Sequence, residues 1–120
     1  ADIPEGSQYR LAALLADEMV NAPAVILAYS AVSGVAAAST FPGVQNLLLA
    51  ARSLGIGSVL TTLHPEVMDR VNAMYGVPEE MQFHCCIPLG YPRGKFGPTS
   101  RMPTSETTYW GRWNAPPPWK

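Results

Sequence analysis

Charge is scarce in this chain: charged residues make up 14% of its 120 positions, against 48% hydrophobic ones. A composition this apolar excludes a disordered polyelectrolyte. The net charge of −1 argues against nucleic acid as the main partner, because a phosphate backbone is gripped by an excess of Lys and Arg. No uncharged apolar run reaches the roughly 18 residues of a membrane span, and the acidic, polar opening "ADIPEGSQYR" does not read as a signal peptide. There are only two cysteines, and they are adjacent. Cys85 and Cys86 would point to opposite faces of a strand, so they cannot close on each other or converge on one metal. With His64 and His84 they make a superficial zinc-like set that lacks the separated chelating pairs of a zinc site. Reduced thiols in a core strand are the expectation, and with them a cytoplasmic protein holding no metal. Also missing are a Gly-Lys-Ser/Thr phosphate loop, a Ser-His-Asp arrangement and paired carboxylates in the apolar segments. If the chain takes part in chemistry, a cofactor supplies it and no catalytic side chain is singled out.

What is present is unevenly spread. Residues 1–87 hold three basic residues against eight acidic ones, whereas residues 88–120 hold five basic residues against Glu106 alone. The same tail carries seven of the twelve prolines and all three tryptophans. Such a segment cannot be an ordinary helix or a central strand. Because tryptophans seek burial, an arm lying on another surface fits better than a loose tether. The chain is therefore divided into a core over residues 1–91 and an extended basic, aromatic arm over residues 92–120.

Elements alternate along the core. "YRLAALLADEMVN" sets Leu11, Leu14, Leu15 and Met19 on one helical face, and "AVILAYS" reads as a buried strand. After a small-residue loop, Ser39 or Thr40 is placed to cap a second helix with Pro42 in its first turn. That helix is apolar nearly all round, through Val44, Leu47, Leu48, Leu49, Ala50 and Ala51, and is expected to be central and buried on most sides. "SVLTTL" reads as the next strand. Pro65 opens a third helix with Val67, Met68, Val71, Met74 and Tyr75 inward and Gly76 as its stop. "MQFHCCIPLGY" then gives a strand of about seven residues ending at Pro88. The order αβαβαβ plus an arm predicts a layered α/β or α+β sandwich.

The joint between the second helix and its strand is Gly55-Ile56-Gly57-Ser58. A dinucleotide loop runs strand, Gly-x-Gly-x-x-Gly, helix, so that phosphate sits on the helix N-terminus. Here the order is reversed and Leu60 stands at the third glycine position, which excludes that reading. Gly55 suits the left-handed residue that ends a helix. Gly57 has no such local need, and a glycine entering a strand suggests close approach to its backbone. Further on, "PLGYPRGKFGPTSR" delivers Arg93, Lys95 and Arg101 on a Gly/Pro loop. Such a loop can present cations to a phosphate, or be a solvated basic turn.

In order, "STFPGVQNLLLAARSLGIGSVLTTLH", "GVPEEMQFHCCIPLGYPRGKFGPTSR" and a closing "YWGRW" resemble the nitroreductase-like flavoproteins. The resemblance implies an α+β sandwich with the central apolar helix on a mixed sheet, built as an intertwined homodimer through that helix and the C-terminal arm. It implies FMN at the subunit interface, NAD(P)H as reductant, and nitroaromatic or quinone-like acceptors. On that resemblance Gly55, Ile56 and Gly57 lie beside the flavin ring and donate N–H groups to it. Lys95 and Arg101, and more weakly Arg93, approach the FMN phosphate. The family's Arg-x-Ser-x-Arg type motif has no counterpart ahead of "ADIPEGSQYR". The chain is therefore expected to be the C-terminal part of such a protein or a shortened relative, with FMN binding weakened. The alternative is a non-catalytic dimer of the same fold that binds a flavin-like ligand or a protein partner. An interaction module built on Trp110, Trp113 and Trp119 is a third reading.

Overall fold

The structure is a computed structural model that describes residues 8–62, 65–98 and 100–119. Helix α1 covers Gln8–Glu18 and tightens into a 3-10 turn over Met19–Asn21. Strand β1 is Ala24–Ala31, helix α2 is Ala36–Ser53, and β2 is only Gly57–Ser58. A 3-10 turn at Pro65–Val67 leads into α3, Met68–Tyr75, followed by β3, Met81–Gly90, and a short α4, Thr104–Thr107.

The sheet has the order β1-β3-β2. Both pairings are antiparallel, which corrects the expectation of a mixed sheet for the described residues. Strand β3 is central because its residues from His84 to Pro88 can be buried on both faces. Cys85 and Ile87 pack with Ile26 and Ala28 under Val44, Leu47 and Leu48 of α2. On the opposite face Val25, Leu27 and Cys86 meet Met19, Val67, Met68 and Val71 around an apolar cavity of about 140 Å³. The result is a sheet between two helical layers, the solution expected for strands apolar on both sides.

Several element boundaries differ from the sequence expectations. Helix α2 begins at Ala36, so Pro42 lies inside the helix and neither Ser39 nor Thr40 caps it. Three alanines, the best helix formers, start the helix early. The Thr40 hydroxyl instead donates to the Ala36 carbonyl at 2.8 Å, the back-bonding mode of a mid-helix threonine. Within the chain α2 buries Ala36, Val44 and Ala51, while Phe41, Leu49 and Leu54 stay exposed, so it is covered on one face and not on most sides. In α3 Met68 is buried, but Met74 and Tyr75 are exposed, because the eight-residue helix turns them away from the sheet. Gly76 ends that helix at φ 64°, the left-handed stop expected of it. Leu14, assigned to the inward face of α1, is exposed, while Leu15 and Met19 are half-buried.

The expected six-residue strand after the joint reduces to two paired residues and a single bridge, Thr61↔Cys86; Leu63 and His64 lie outside the described residues. Pro88 explains the break. Thr61 and Cys86 exchange both backbone hydrogen bonds at 2.9 Å, and Gly57↔Gly90 continues the same register. Bonded pairs recur at every second residue, so Val59 opposes Pro88 where β3 has no N–H to give. The same geometry directs the missing donor away from β1, which is why a proline is tolerated in a ten-residue central strand that runs on through it to Gly90.

The arm is less extended than its composition predicts. It carries α4, and residues 109–119 close into a turn in which the Trp110 amide donates to the Ala115 carbonyl at 2.9 Å. Tyr109 meets Trp113 at a tilt of 58° with ring centres 4.6 Å apart, and Trp119 meets Trp110 edge-on at 5.5 Å. These rings cover one another, yet Trp110 and Trp113 remain largely exposed.

Candidate functional site

Helix α2 stops in a two-bond left-handed turn. The Gly55 amide donates to the Arg52 carbonyl at 3.1 Å, and the Ile56 amide to the Ala51 carbonyl at 2.9 Å. Gly55 sits at φ 75°, which only a residue without Cβ takes up at no cost. The turn has a consequence for the expected ring donors. The N–H groups of Gly55 and Ile56 are engaged inside the cap, so close approach to this backbone is open to a ligand but donation from those two amides is not. Among the described residues, its own chain neighbours aside, no atom lies within 4 Å of where a Gly55 side chain would begin.

Gly57, unexplained by local structure, has a reason within the fold. A Cβ there would stand 3.1 Å from the Gly90 carbonyl oxygen and 3.7 Å from Pro92 Cδ. Glycine is required because the start of β2 presses on the end of β3, and no ligand need be invoked for it. The signal was in the sequence as the second glycine at the end of "PLG", but only the pairing joins the two.

Gly57, Ser58 and Val59 form one wall of a cleft of about 500 Å³ whose other walls include Pro88–Pro92, Phe96 and the end of α1. Of the six residues singled out from the sequence, the cleft brings in Gly57 alone. Arg93, Lys95 and Arg101 are exposed on the following loop and do not line it, and Arg101 donates to the Ser100 carbonyl at 2.8 Å. Among the described residues the cleft wall includes one acidic side chain, Glu18, which accepts a hydrogen bond from the Asn21 side-chain amide at 2.8 Å. Phe96, missed from the sequence, links the loop to the helix end: the Arg52 guanidinium carbon lies 3.4 Å from its ring centroid. An Arg and a Phe separated by more than forty positions carry no sequence signal of their pairing.

Of the zinc-like set, His64 lies outside the described residues. Cys85 and Cys86 are buried, unlinked and on opposite faces, and burial pushes both thiols up from their ordinary range, Cys85 also through its neighbour's charge. His84 is the extra residue at the bulge where β1 slips against β3 between Ala28 and Tyr29. Its Nε2 is 2.7 Å from the Ser30 hydroxyl, and Phe41 meets the ring edge-on at 5.8 Å. Among the described residues no cluster of His, Cys, Asp and Glu could hold a metal. No helix among them is long and apolar enough to cross a membrane.

Comparison with known proteins places these features. The sequence profile of the nitroreductase family matches residues 1–91. A protein of Methanothermobacter thermautotrophicus with the provisional name NADH dehydrogenase/NAD(P)H nitroreductase is 42% identical over 50 residues, which is 40% of this chain and 26% of that protein. One of the same name from Archaeoglobus fulgidus is 43% identical over 51 residues, 41% of this chain and 29% of that protein. The matched segments thus span under a third of those relatives' own length. Among solved structures, one of the same provisional name from Parabacteroides distasonis superposes with a TM-score of 0.66 at 24% identity, over 81% of this chain and 66% of its own. An oxidized iodotyrosine deiodinase bound to FMN and 3-iodo-L-tyrosine superposes with a TM-score of 0.61 at 25% identity, over 92% of this chain and 61% of its own.

Proposed function

Since this chain belongs to the nitroreductase family, we propose that it forms part of an FMN-dependent oxidoreductase that takes electrons from NAD(P)H and reduces nitroaromatic or quinone-like acceptors. FMN, when bound, supplies the two-electron hydride chemistry for which the chain has no side chains of its own. The observation that carries the reading is the joint: a helix ends at Gly55 in bare backbone, next to a cleft begun by Gly57 and Ser58. The FMN-bound structural neighbour supports it.

The residues present fit FMN in two ways. The open space at Gly55 lets a flat ring approach main chain without meeting a side chain. Arg93 and Lys95 are exposed and make no ion pair among the described residues, so both are available to a phosphate that carries close to two negative charges. Arg101 is a third cation on the same loop. With the Gly55 and Ile56 amides engaged in the cap and Gly57 paired to Gly90, these residues hold the ring by contact, and hydrogen bonding falls to Ser58.

A specific observation favours a second copy of this chain as partner. Phe41 and Leu49 of α2 and Leu54 just after it stand exposed, as do Trp110 and Trp113 of the arm, and such apolar surface is characteristic of an interface. We propose a homodimer through α2 and the arm, read by light scattering after size-exclusion chromatography; a monomer at micromolar concentration rejects it.

The test of function is titration of the purified chain with FMN, followed by addition of NADH or NADPH. Flavin fluorescence is expected to quench and the flavin band to bleach with reductant. Saturating FMN at 100 times its Kd should also raise stability by about 2.7 kcal/mol. Binding without bleaching identifies a flavin-binding chain that does not turn over. A colourless chain that gains no stability from FMN overturns the flavin reading.

A further inference from the structure

Two contacts tie the basic loop to the end of α2, and they fall on either side of Arg93 and Lys95. Pro92 lies against Gly57, 3.7 Å from where a Cβ would stand, and Phe96 lies under the Arg52 guanidinium at 3.4 Å. Between these feet only Arg93, Gly94 and Lys95 remain. The loop is therefore a short arch planted at both ends on the segment from residue 52 to residue 57. Arg52 takes part twice, because its carbonyl also accepts the Gly55 amide that closes the left-handed turn. A guanidinium over an aromatic face is held by the ring's electron-rich surface, well within the roughly 6 Å over which that attraction acts.

We propose that Arg52 and Phe96 form a clasp that holds the Arg93–Lys95 arch beside the Gly55–Gly57 joint. Arg52 is thereby a positioning residue for the phosphate end of the cofactor site and not itself a phosphate ligand. The guanidinium faces the ring, whereas Arg93 and Lys95 are exposed and make no ion pair among the described residues. The cofactor role rests on the FMN reading above; the clasp itself does not. Without the clasp the arch keeps its charges but loses their fixed place, so the binding of a phosphate-bearing ligand pays the ordering entropy that the clasp removes in advance.

The experiment uses the full chain with Arg52→Met, Phe96→Leu and Phe96→Tyr, the last retaining an aromatic face. Two readouts are taken. Limited trypsin digestion reads the arch directly: cleavage after Arg93 and Lys95 is expected to accelerate about three- to tenfold in Arg52→Met and Phe96→Leu, the range of a surface cation–π contact and its cooperative loss. Cleavage after Arg70 is expected to stay unchanged, and Phe96→Tyr to restore the slow rate. Fluorescence titration with FMN and with riboflavin, which lacks the phosphate, reads the cofactor role. FMN affinity is expected to fall about three- to tenfold in the first two variants while riboflavin affinity holds.

Unchanged cleavage in both Arg52→Met and Phe96→Leu overturns the clasp. An equal fall for FMN and riboflavin overturns its action through the phosphate and leaves it a general structural contact. If the unaltered chain binds neither flavin, the FMN reading and the clasp's cofactor role fall together, and digestion alone decides whether the clasp exists.

Discussion

Along one edge β3 pairs with all eight residues of β1, from Ala24↔Leu89 to Ala31↔Met81; along the other it meets β2 at two positions and then Thr61 alone. The first edge is a mostly apolar ladder whose side chains reach both layers of the sandwich. The second is interrupted by Pro88 and begins with two glycines whose backbones touch. Stability and access are thus divided between the two sides of one strand. A strand fully paired on both edges would leave no cleft, and one unpaired on both would leave no core. The proposed cofactor site lies at the weakly paired edge, in keeping with the general placement of binding segments at the less stable end of a fold.

The contrast can be broken first at its strong side. Ile87 is 1% exposed and lies opposite Ile26 in the ladder, packed with Val44 and Cys85. Ile87→Ala is expected to lower unfolding free energy by about 3 kcal/mol, within the roughly 2–5 kcal/mol of such cavities. Urea denaturation measures it, and a loss below about 1 kcal/mol would show that the core is carried elsewhere.

At the weak edge the effect should be smaller and local. Gly57→Ala sets a methyl 3.1 Å from a backbone carbonyl that cannot rotate away. The expected loss is about 1–2 kcal/mol, in the lower part of the range for overpacking. Hydrogen exchange should show faster amides around residues 57 and 90, with the β1–β3 amides as protected as before. Equal loss of protection on both edges would falsify the division drawn here.

The smallest effect tests the cause of the interruption. Pro88→Ala restores an N–H where β3 faces Val59, with a stability change under about 1 kcal/mol because a new bond is set against a freer unfolded chain. The new amide at position 88 should exchange slowly in NMR spectra. Rapid exchange there means that the break in β2 has another origin.

Much of the core could be read before the fold was seen, because its signals are local. Gly76 follows an apolar helical repeat, and "HCCIP" is too apolar for an exposed strand. Gly55 likewise stands where a helix must reverse. The start of α2 was misread for an equally local reason: Ser39, Thr40 and Pro42 resemble a cap, and Ala36–Ala38 outweigh them. The candidate site was legible in part. Arg93 and Lys95 stand out as cations on a Gly/Pro loop, but their anchoring does not, because nothing near Phe96 in the sequence marks Arg52 as its partner.

By itself the sequence determined the order of elements, the two left-handed helix stops, the division between an acidic core and a basic arm, and the buried state of the paired cysteines. Each follows from residues a few positions apart, where spacing alone sets which face a side chain takes. Only the tertiary structure decided why Gly57 must be glycine, why β2 stops opposite Pro88, and which ring lies under Arg52. Those are contacts between segments far apart in the chain, fixed by the register of one strand against another, and no local preference encodes a register.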